Sequence, residues 1–522
     1  MDPALQQALR QTNFTPWDWG IVGVYLIASL AVGLLVKRHV HDMASYIGAG
    51  RAVGTRLGIA AMAGTEMGLI TVMYSAQKGF VGGFAAFHIA VASGLVTLVV
   101  GLTGFMVYRL REMRVLTIPE FYERRFGRRT RILGGVMLAF GGILNMGLFL
   151  KVGSMFIVGV TGMAAESGAL KMVMIGLLLL VLVYTVLGGM ISVVITDYIQ
   201  FVILSLGVLL TTGFAIHQLG WTNIFETVAA EMGSKGFNPF ESEGEFGVDY
   251  AAWMCFLGLV GCAIWPTAVA RALAMESPEA VKRQFAWSSV SFTIRFMVPY
   301  FWGICAFVFF MTAAPDLKAV FLPDDPDTAA NNLYAMPVFL GRILPAGVLG
   351  LIAAAMIAAF MSTHDSYLLC WSSVITQDIV APLRRSRMTL ESRVFLTRIL
   401  IGAIGVYVLW WGLFYEGSDD IWDYMSVTGA IYFTGAFAVM FCGLYWKRAS
   451  STGAVLALLS GSIAIVGLGP MQDLLGISGR FTGAQVGLFT ICFSLVVMVL
   501  GSLLRPDQPA APETEQPLTP SE

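Results

Sequence analysis

The chain has 522 residues, of which 57% are hydrophobic and only 12% charged, with a mean hydropathy of +0.76. Soluble globular domains carry about 25% charged residues, so a soluble fold is excluded and a polytopic membrane protein is implied. The net charge of −1 gives no field for nucleic acid, and the six cysteines, with no CxxC pair, read as core residues rather than disulfides or metal ligands.

Residues 1–16 are polar, and the first apolar run is long enough to stay in the bilayer, so no cleavable leader is expected. A crossing helix needs about 20 apolar residues. Thirteen runs qualify: 18–36, 57–77, 80–108, 131–160, 170–187, 190–216, 249–270, 286–313, 344–376, 395–414, 421–445, 453–469 and 483–503. With the N-terminus outside, loop 109–131 faces inward with Arg109, Arg111, Arg114, Arg124, Arg125, Arg128, Arg129 and Arg131, and loop 377–394 adds Arg384, Arg385, Arg387 and Arg393. The opposite loops are acidic, with Glu226, Glu231, Glu241, Glu243 and Glu245, then Asp316, Asp324, Asp325 and Asp327, then Glu416, Asp419 and Asp420. The positive-inside rule then sets N-out, C-in, in the cell's inner (plasma) membrane. The outer loops 217–248 and 314–343 read as solvated connectors, with surface helices as the alternative, and the Pro-rich tail from 504 reads as disordered.

Ionisable residues inside spans are functional candidates by default. Here they are Glu66, His88, Lys151, Asp197, Arg295, His364, Asp365 and Asp423. Lys151 also reads as a structural pair, His88 as hydrogen-bonded packing and Asp423 as a wet outer end. Asp197 and Asp365 have hydroxyl neighbours: Thr196 for one, and Ser362, Thr363 and Ser366 for the other. On a helix Ser362 and Ser366 share a face, with Asp365 beside them. Such oxygens suit a hard monovalent cation. In span 57–77, Gly64–Thr65–Glu66–Met67–Gly68 interrupts an apolar run with glycines around a carboxylate. A helix broken there would expose backbone carbonyls, which bind sodium in many secondary transporters.

The motifs are recognisable in order. YIGAGR (Tyr46–Arg51), TIPEFYERRFG (Thr117–Gly127), LGGMISVVITDYIQ (Leu187–Gln200), Arg271 preceded by Ala270, and GLYWKRASSTGA (Gly443–Ala454) follow one another at span ends. Together they resemble the sodium:solute symporter family over roughly 18–455. Ile195 replaces the usual Trp of the third motif and Ala270 the usual Gln beside the arginine. The resemblance implies an all-α protein of about thirteen transmembrane helices around a LeuT-like core of two inverted five-helix repeats. The implied layout is an extracytoplasmic 1–17, a peripheral span and loop 18–56, repeats 57–216 and 249–445 joined by outer loop 217–248, peripheral spans 446–503 and a cytoplasmic tail 504–522.

It also implies a sodium site formed by the carbonyls of Gly64, Met67 and Ala359 and the hydroxyls of Ser362 and Thr363. A second sodium or a proton would lie on Asp197, Asp365 and Ser366, where Asp365 replaces a more usual hydroxyl. Candidate solute contacts are Glu66, Thr71, Ser93, Trp265, Arg295 and Ser426. Relative to sugar-carrying members, Ala90 and Ser426 remove an acidic ligand and an amide, Gly261 replaces an aromatic gate and Arg295 replaces a lysine, which favours a carboxylate over a sugar. Arg295 could alternatively pair with Glu66 or Asp423. The expected function is sodium-coupled import of a small organic solute by alternating access, with no organic cofactor, by a monomer or weak homo-oligomer in contact with membrane lipid. The alternatives are a solute sensor on the same scaffold or a proton-coupled transporter. An intramembrane protease is disfavoured, because YD, GxGD and HExxH are absent.

Overall fold

The computed structural model describes residues 7, 10–36, 52–163, 168–241, 245–323, 329–384, 388–415 and 420–507, with backbone alone at 30, 32–36, 65, 184, 186–199 and 201. Motif Tyr46–Arg51, half of the polar N-terminus, the tail beyond 507, Arg385, Arg387, Glu243, Asp324, Asp325, Asp327, Glu416, Asp419 and the side chain of Asp197 therefore lie outside the described residues.

Nine helices among the described residues are long and apolar enough to cross a membrane, ten if a pair bent by 89° around Leu468 counts as one. The sequence count of thirteen is therefore not reached by length and composition. Ala169–Leu219 is one 51-residue helix where two spans, 170–187 and 190–216, were expected. At 1.5 Å per residue it is roughly 75 Å of helix, well beyond the ~30 Å hydrocarbon layer. Exposed apolar side chains such as Leu95, Val99 and Leu102, or Phe489, Val496 and Leu503, ring the outside, as lipid contact requires.

Two of the interrupted helices border a central cavity. Thr55–Glu66 ends at Met67 (φ −96°, ψ 59°), extended Gly68 follows, and Leu69–Gly82 resumes. Val248–Ala263 ends at Ile264, and Pro266–Ala274 starts after Trp265, which is extended at ψ 127°. A residue before proline is pushed out of the helical region, so Trp265–Pro266 dictates the second break. Helix Pro278–Thr312 packs tightly on Leu69–Gly82, where a Cβ on Gly79 or Gly303 would collide with the facing backbone. Small residues permit that approach in a membrane bundle.

Helix Val348–Val374 runs through the centre and is buried along nearly its whole length, Ser362 to Ser366 included. Asp18 on the first helix, Pro16–Val36, accepts from the backbone N–H of Gly347 (2.7 Å) and Gly350 (2.6 Å) and so fixes where this central helix begins. The outer loops are not merely connectors: 217–248 holds helix Trp221–Met232, and 314–343 holds Ala335–Ile343, whose side chains are mostly buried. Of the cysteines read as core, Cys255 and Cys492 are exposed; all six are free thiols.

The TIPEFYERRFG loop forms helix Ile118–Phe126, capped by Thr117, whose hydroxyl accepts from Glu120 N–H. Arg125 donates to the carbonyls of Gly443, Trp446 and Lys447, at and just past the end of Ile421–Tyr445. Thr117 and Arg131 both donate to the fully buried Asp378 (2.9 Å each).

Candidate functional site

At the first break the chain meets the central helix. A Cβ on Gly68 would collide with the Thr363 hydroxyl, so the extended Met67–Gly68 turn touches the hydroxyl-bearing strip directly. Thr363 Oγ1 donates to Ala359 O at 3.0 Å, and Ser362 is 1% exposed. Gly64, Met67, Ala359, Ser362 and Thr363 are all buried. Past Ala63, whose carbonyl accepts from Met67 N–H, the carbonyls that end Thr55–Glu66 run out of intrahelical N–H donors, which leaves oxygen acceptors beside these hydroxyls.

A cavity of about 870 Å³, counting the open space at its mouth, adjoins this junction. Glu66, Thr71, Ser93, Trp265, Arg295 and Ser426 all line it, as does Thr363. All six sequence-predicted solute contacts are thus brought together. The sequence reading missed Tyr74, Asn145, Tyr367 and Trp422, because aromatic and amide groups on apolar helices carry no local signal of which face is inward.

The charge in the cavity is balanced. Arg295 Nη1 donates to Glu66 Oε2 at 2.5 Å and to Glu66 O at 3.4 Å, so of the two carboxylates named as possible partners the pair is with Glu66. Thr267 Oγ1 reaches Glu66 Oε1 at 3.4 Å, and Thr71 Oγ1 reaches Glu66 O at 3.4 Å. The guanidinium lies against the rings of Phe292 (4.0 Å) and Phe296 (4.5 Å), which fix its plane. Its Nη2 stands 3.7 Å from where a Cβ on Gly261 would be, so the glycine leaves room at the free end of the fork.

Aromatic rings stand on both sides. Tyr74 packs at a tilt against Trp422 (4.5 Å) with Phe296 beside them (5.8 Å from Trp422). One helical turn further along, Lys78 is 3% exposed and is held by Asp420 (2.7 Å), Glu245 (2.9 Å) and Asp423 (3.2 Å). Asp423 is therefore an ion-pair partner, not only a wet helix end. On the other side, Trp265 Nε1 donates to the Tyr367 hydroxyl at 2.8 Å, with Trp371 5.6 Å from Trp265.

Beyond that floor Arg271 Nη2 donates to Ser366 Oγ at 2.7 Å, and Ser366 donates to Ser362 O at 2.8 Å. Asp365 Oδ1 is hydrogen-bonded by Thr185, a partner the sequence did not single out. Lys151 Nζ donates to Tyr415 O (3.0 Å), and His88 Nδ1 bonds Ala85 O (2.6 Å), so both have structural partners.

The profile of the sodium:solute symporter family matches residues 46–461. The sodium/glucose cotransporter of Vibrio parahaemolyticus is 25% identical over 93% of this chain and 90% of its own length, and the sodium/sialic acid symporter SiaT of Proteus mirabilis is 24% identical over 88% and 90%. The high-affinity proline transporter PutP of Bacillus subtilis is 24% identical over 84% and 89%. Among solved structures, a substrate-bound, outward-open Na+-coupled sialic acid symporter superposes with a TM-score of 0.78 at 20% identity, covering 94% of this chain and 99% of that one, and places the fold among LeuT-like transporters. The chain belongs to the sodium:solute symporter family and is a sodium-coupled membrane symporter of a small solute.

Proposed function

We propose that the solute carries a carboxylate and binds in the cavity with that group on Arg295, and that the coupling sodium sits where the first break meets the central helix. The observation that carries the reading is the contact of Gly68 with Thr363 on the wall of the cavity that also holds Arg295. The sodium ligands would be the carbonyls of Gly64, Met67 and Ala359 and the hydroxyls of Ser362 and Thr363. Thr71, Ser93, Trp265 and Ser426 would contact the solute body. A mostly apolar wall with one guanidinium suits a small organic or amino acid better than a sugar, which needs many hydroxyl partners.

Sodium there ties the broken helix to the central one and favours the arrangement that binds solute; it can do so only through its differential affinity for the two arrangements. Each inward charge gains about 2.3 kcal/mol per 100 mV of inside-negative potential. A second cation, sodium or a proton, would use Asp365 with Asp197 and Ser366, although the Arg271 guanidinium on Ser366 weighs against that hydroxyl. The orientation we propose is N-out and C-in in the plasma membrane, with the repeats at 57–216 and 249–445, a monomeric or weakly associating protein amid lipid, and no organic cofactor.

The test is uptake and counterflow in proteoliposomes, with carboxylates, amino acids and sugars offered under an inward sodium gradient. Carboxylate counterflow that requires sodium and is lost in Arg295→Gln supports the reading; equal counterflow in that variant rejects it.

A further inference from the structure

We infer that the Glu66 carboxylate is a built-in competitor for the solute: it takes the place on Arg295 that a solute carboxylate needs, and sodium removes it. The inference rests on the proposed capture of a carboxylate by Arg295 and adds how that capture is made sodium-dependent.

The geometry points to competition rather than to a joint site. A carboxylate binds a guanidinium best through two adjacent N–H groups. The Arg295 plane is fixed by Phe292 and Phe296, and its Nε is buried without a hydrogen-bond partner, so only the Nη1–Nη2 end faces the cavity. Glu66 Oε2 is on Nη1 at 2.5 Å. A solute carboxylate that seats on both nitrogens meets the like charge of Glu66 at Nη1 unless Glu66 withdraws.

Glu66 also sits where a sodium ion at the proposed site can draw it off. It is the last residue of Thr55–Glu66, between Gly64 and Met67, and Gly68 directly follows Met67 against Thr363. A cation seated on those carbonyls and hydroxyls is a near neighbour of the carboxylate and attracts it. Thr267, 3.4 Å from Oε1, offers a hydroxyl for the carboxylate to keep as it leaves Arg295. Arg295 Nη1 also touches Glu66 O at 3.4 Å, so the arginine loses its hold on the break and gains the solute in one exchange. Total charge is conserved across the exchange: Glu66 passes from Arg295 to sodium, and Arg295 passes from Glu66 to the solute. Glu66 is thus a positioning residue that makes the solute site conditional on the ion site.

The test uses the purified full chain with propionate, pyruvate and benzoate as probes, their amides as uncharged controls, and choline replacing sodium. Dissociation constants are measured by calorimetry for wild type, Glu66→Gln and Arg295→Gln. Wild type should bind a carboxylate probe at least about tenfold more tightly in sodium than in choline, within the usual range of coupling between two sites. Glu66→Gln should bind it in choline nearly as tightly as wild type does in sodium, with the sodium dependence largely gone, and should still be thermally stabilised by sodium alone. If Glu66→Gln is not folded, Glu66→Asp, one methylene shorter, should shift binding in choline the same way. An unchanged sodium dependence in a variant that still needs Arg295 overturns this inference and leaves carboxylate capture standing. Wild-type binding that is indifferent to Arg295→Gln, or absent for every carboxylate, overturns both.

Discussion

Arg295 and Glu66, 229 positions apart in the chain, form an ion pair at 2.5 Å in the wall of the central cavity, so these two opposite charges balance each other there. A buried pair of this kind loses several kcal/mol when one partner is removed, because the other charge is stranded. That sets the expected size of the effects below.

Replacing Arg295 by lysine keeps the charge and loses the fork. A charge-assisted hydrogen bond contributes about 1.5–3 kcal/mol, so carboxylate affinity should fall roughly 10- to 150-fold in Arg295→Lys, measured by calorimetry, with less effect on the matching amide.

Gly68→Ala places a methyl on the Thr363 hydroxyl. Overpacking of this sort costs about 1–3 kcal/mol, seen as a lower thermal midpoint in detergent. Adding Thr363→Ala should recover part of the lost stability but none of the stabilisation by sodium. Equal loss with and without Thr363→Ala would argue against the contact.

Lys78 joins the broken helix to Glu245 and to Asp420 and Asp423 at the start of Ile421–Tyr445. Lys78→Met should loosen that end of the cavity. On a cysteine-free background, Met425→Cys should then react faster with a membrane-impermeant maleimide from the outside; a shift of about 1 kcal/mol corresponds to about fivefold. No change in rate would show that the ion cluster does not hold the cavity shut.

Asp378 is fully buried and binds Thr117 and Arg131. Asp378→Ala should destabilise the protein by about 3 kcal/mol in thermal or denaturant unfolding, with Asp378→Asn intermediate because it still accepts from Thr117.

Much of this was legible beforehand, for reasons that differ by residue. The Gly64–Gly68 break was visible because two glycines around a carboxylate contradict a lipid-facing helix. The Ser362–Ser366 strip was visible because polar residues in an apolar span need a protein partner, and it is indeed buried. The break at Trp265 carried an equally clear sign, Pro266, but the smooth apolar run on either side hid it. The Arg295–Glu66 pair could only be one of two alternatives, since sequence distance says nothing about which inward faces meet. Helix Ala335–Ile343 was read as part of a connector because it is too short for a span, although its side chains pack inside the fold. The continuous helix Ala169–Leu219 escaped because hydropathy marks crossings and not the turns between them.

The central claim is that sodium is held between the first break and the hydroxyls of the central helix. Its most direct test is binding of radioactive sodium to the purified protein, wild type against the double variant Ser362→Ala, Thr363→Ala. Saturable binding in the wild type and its loss in the double variant, with thermal stability in choline preserved, is the result this account predicts; equal saturable binding in both proteins would contradict it.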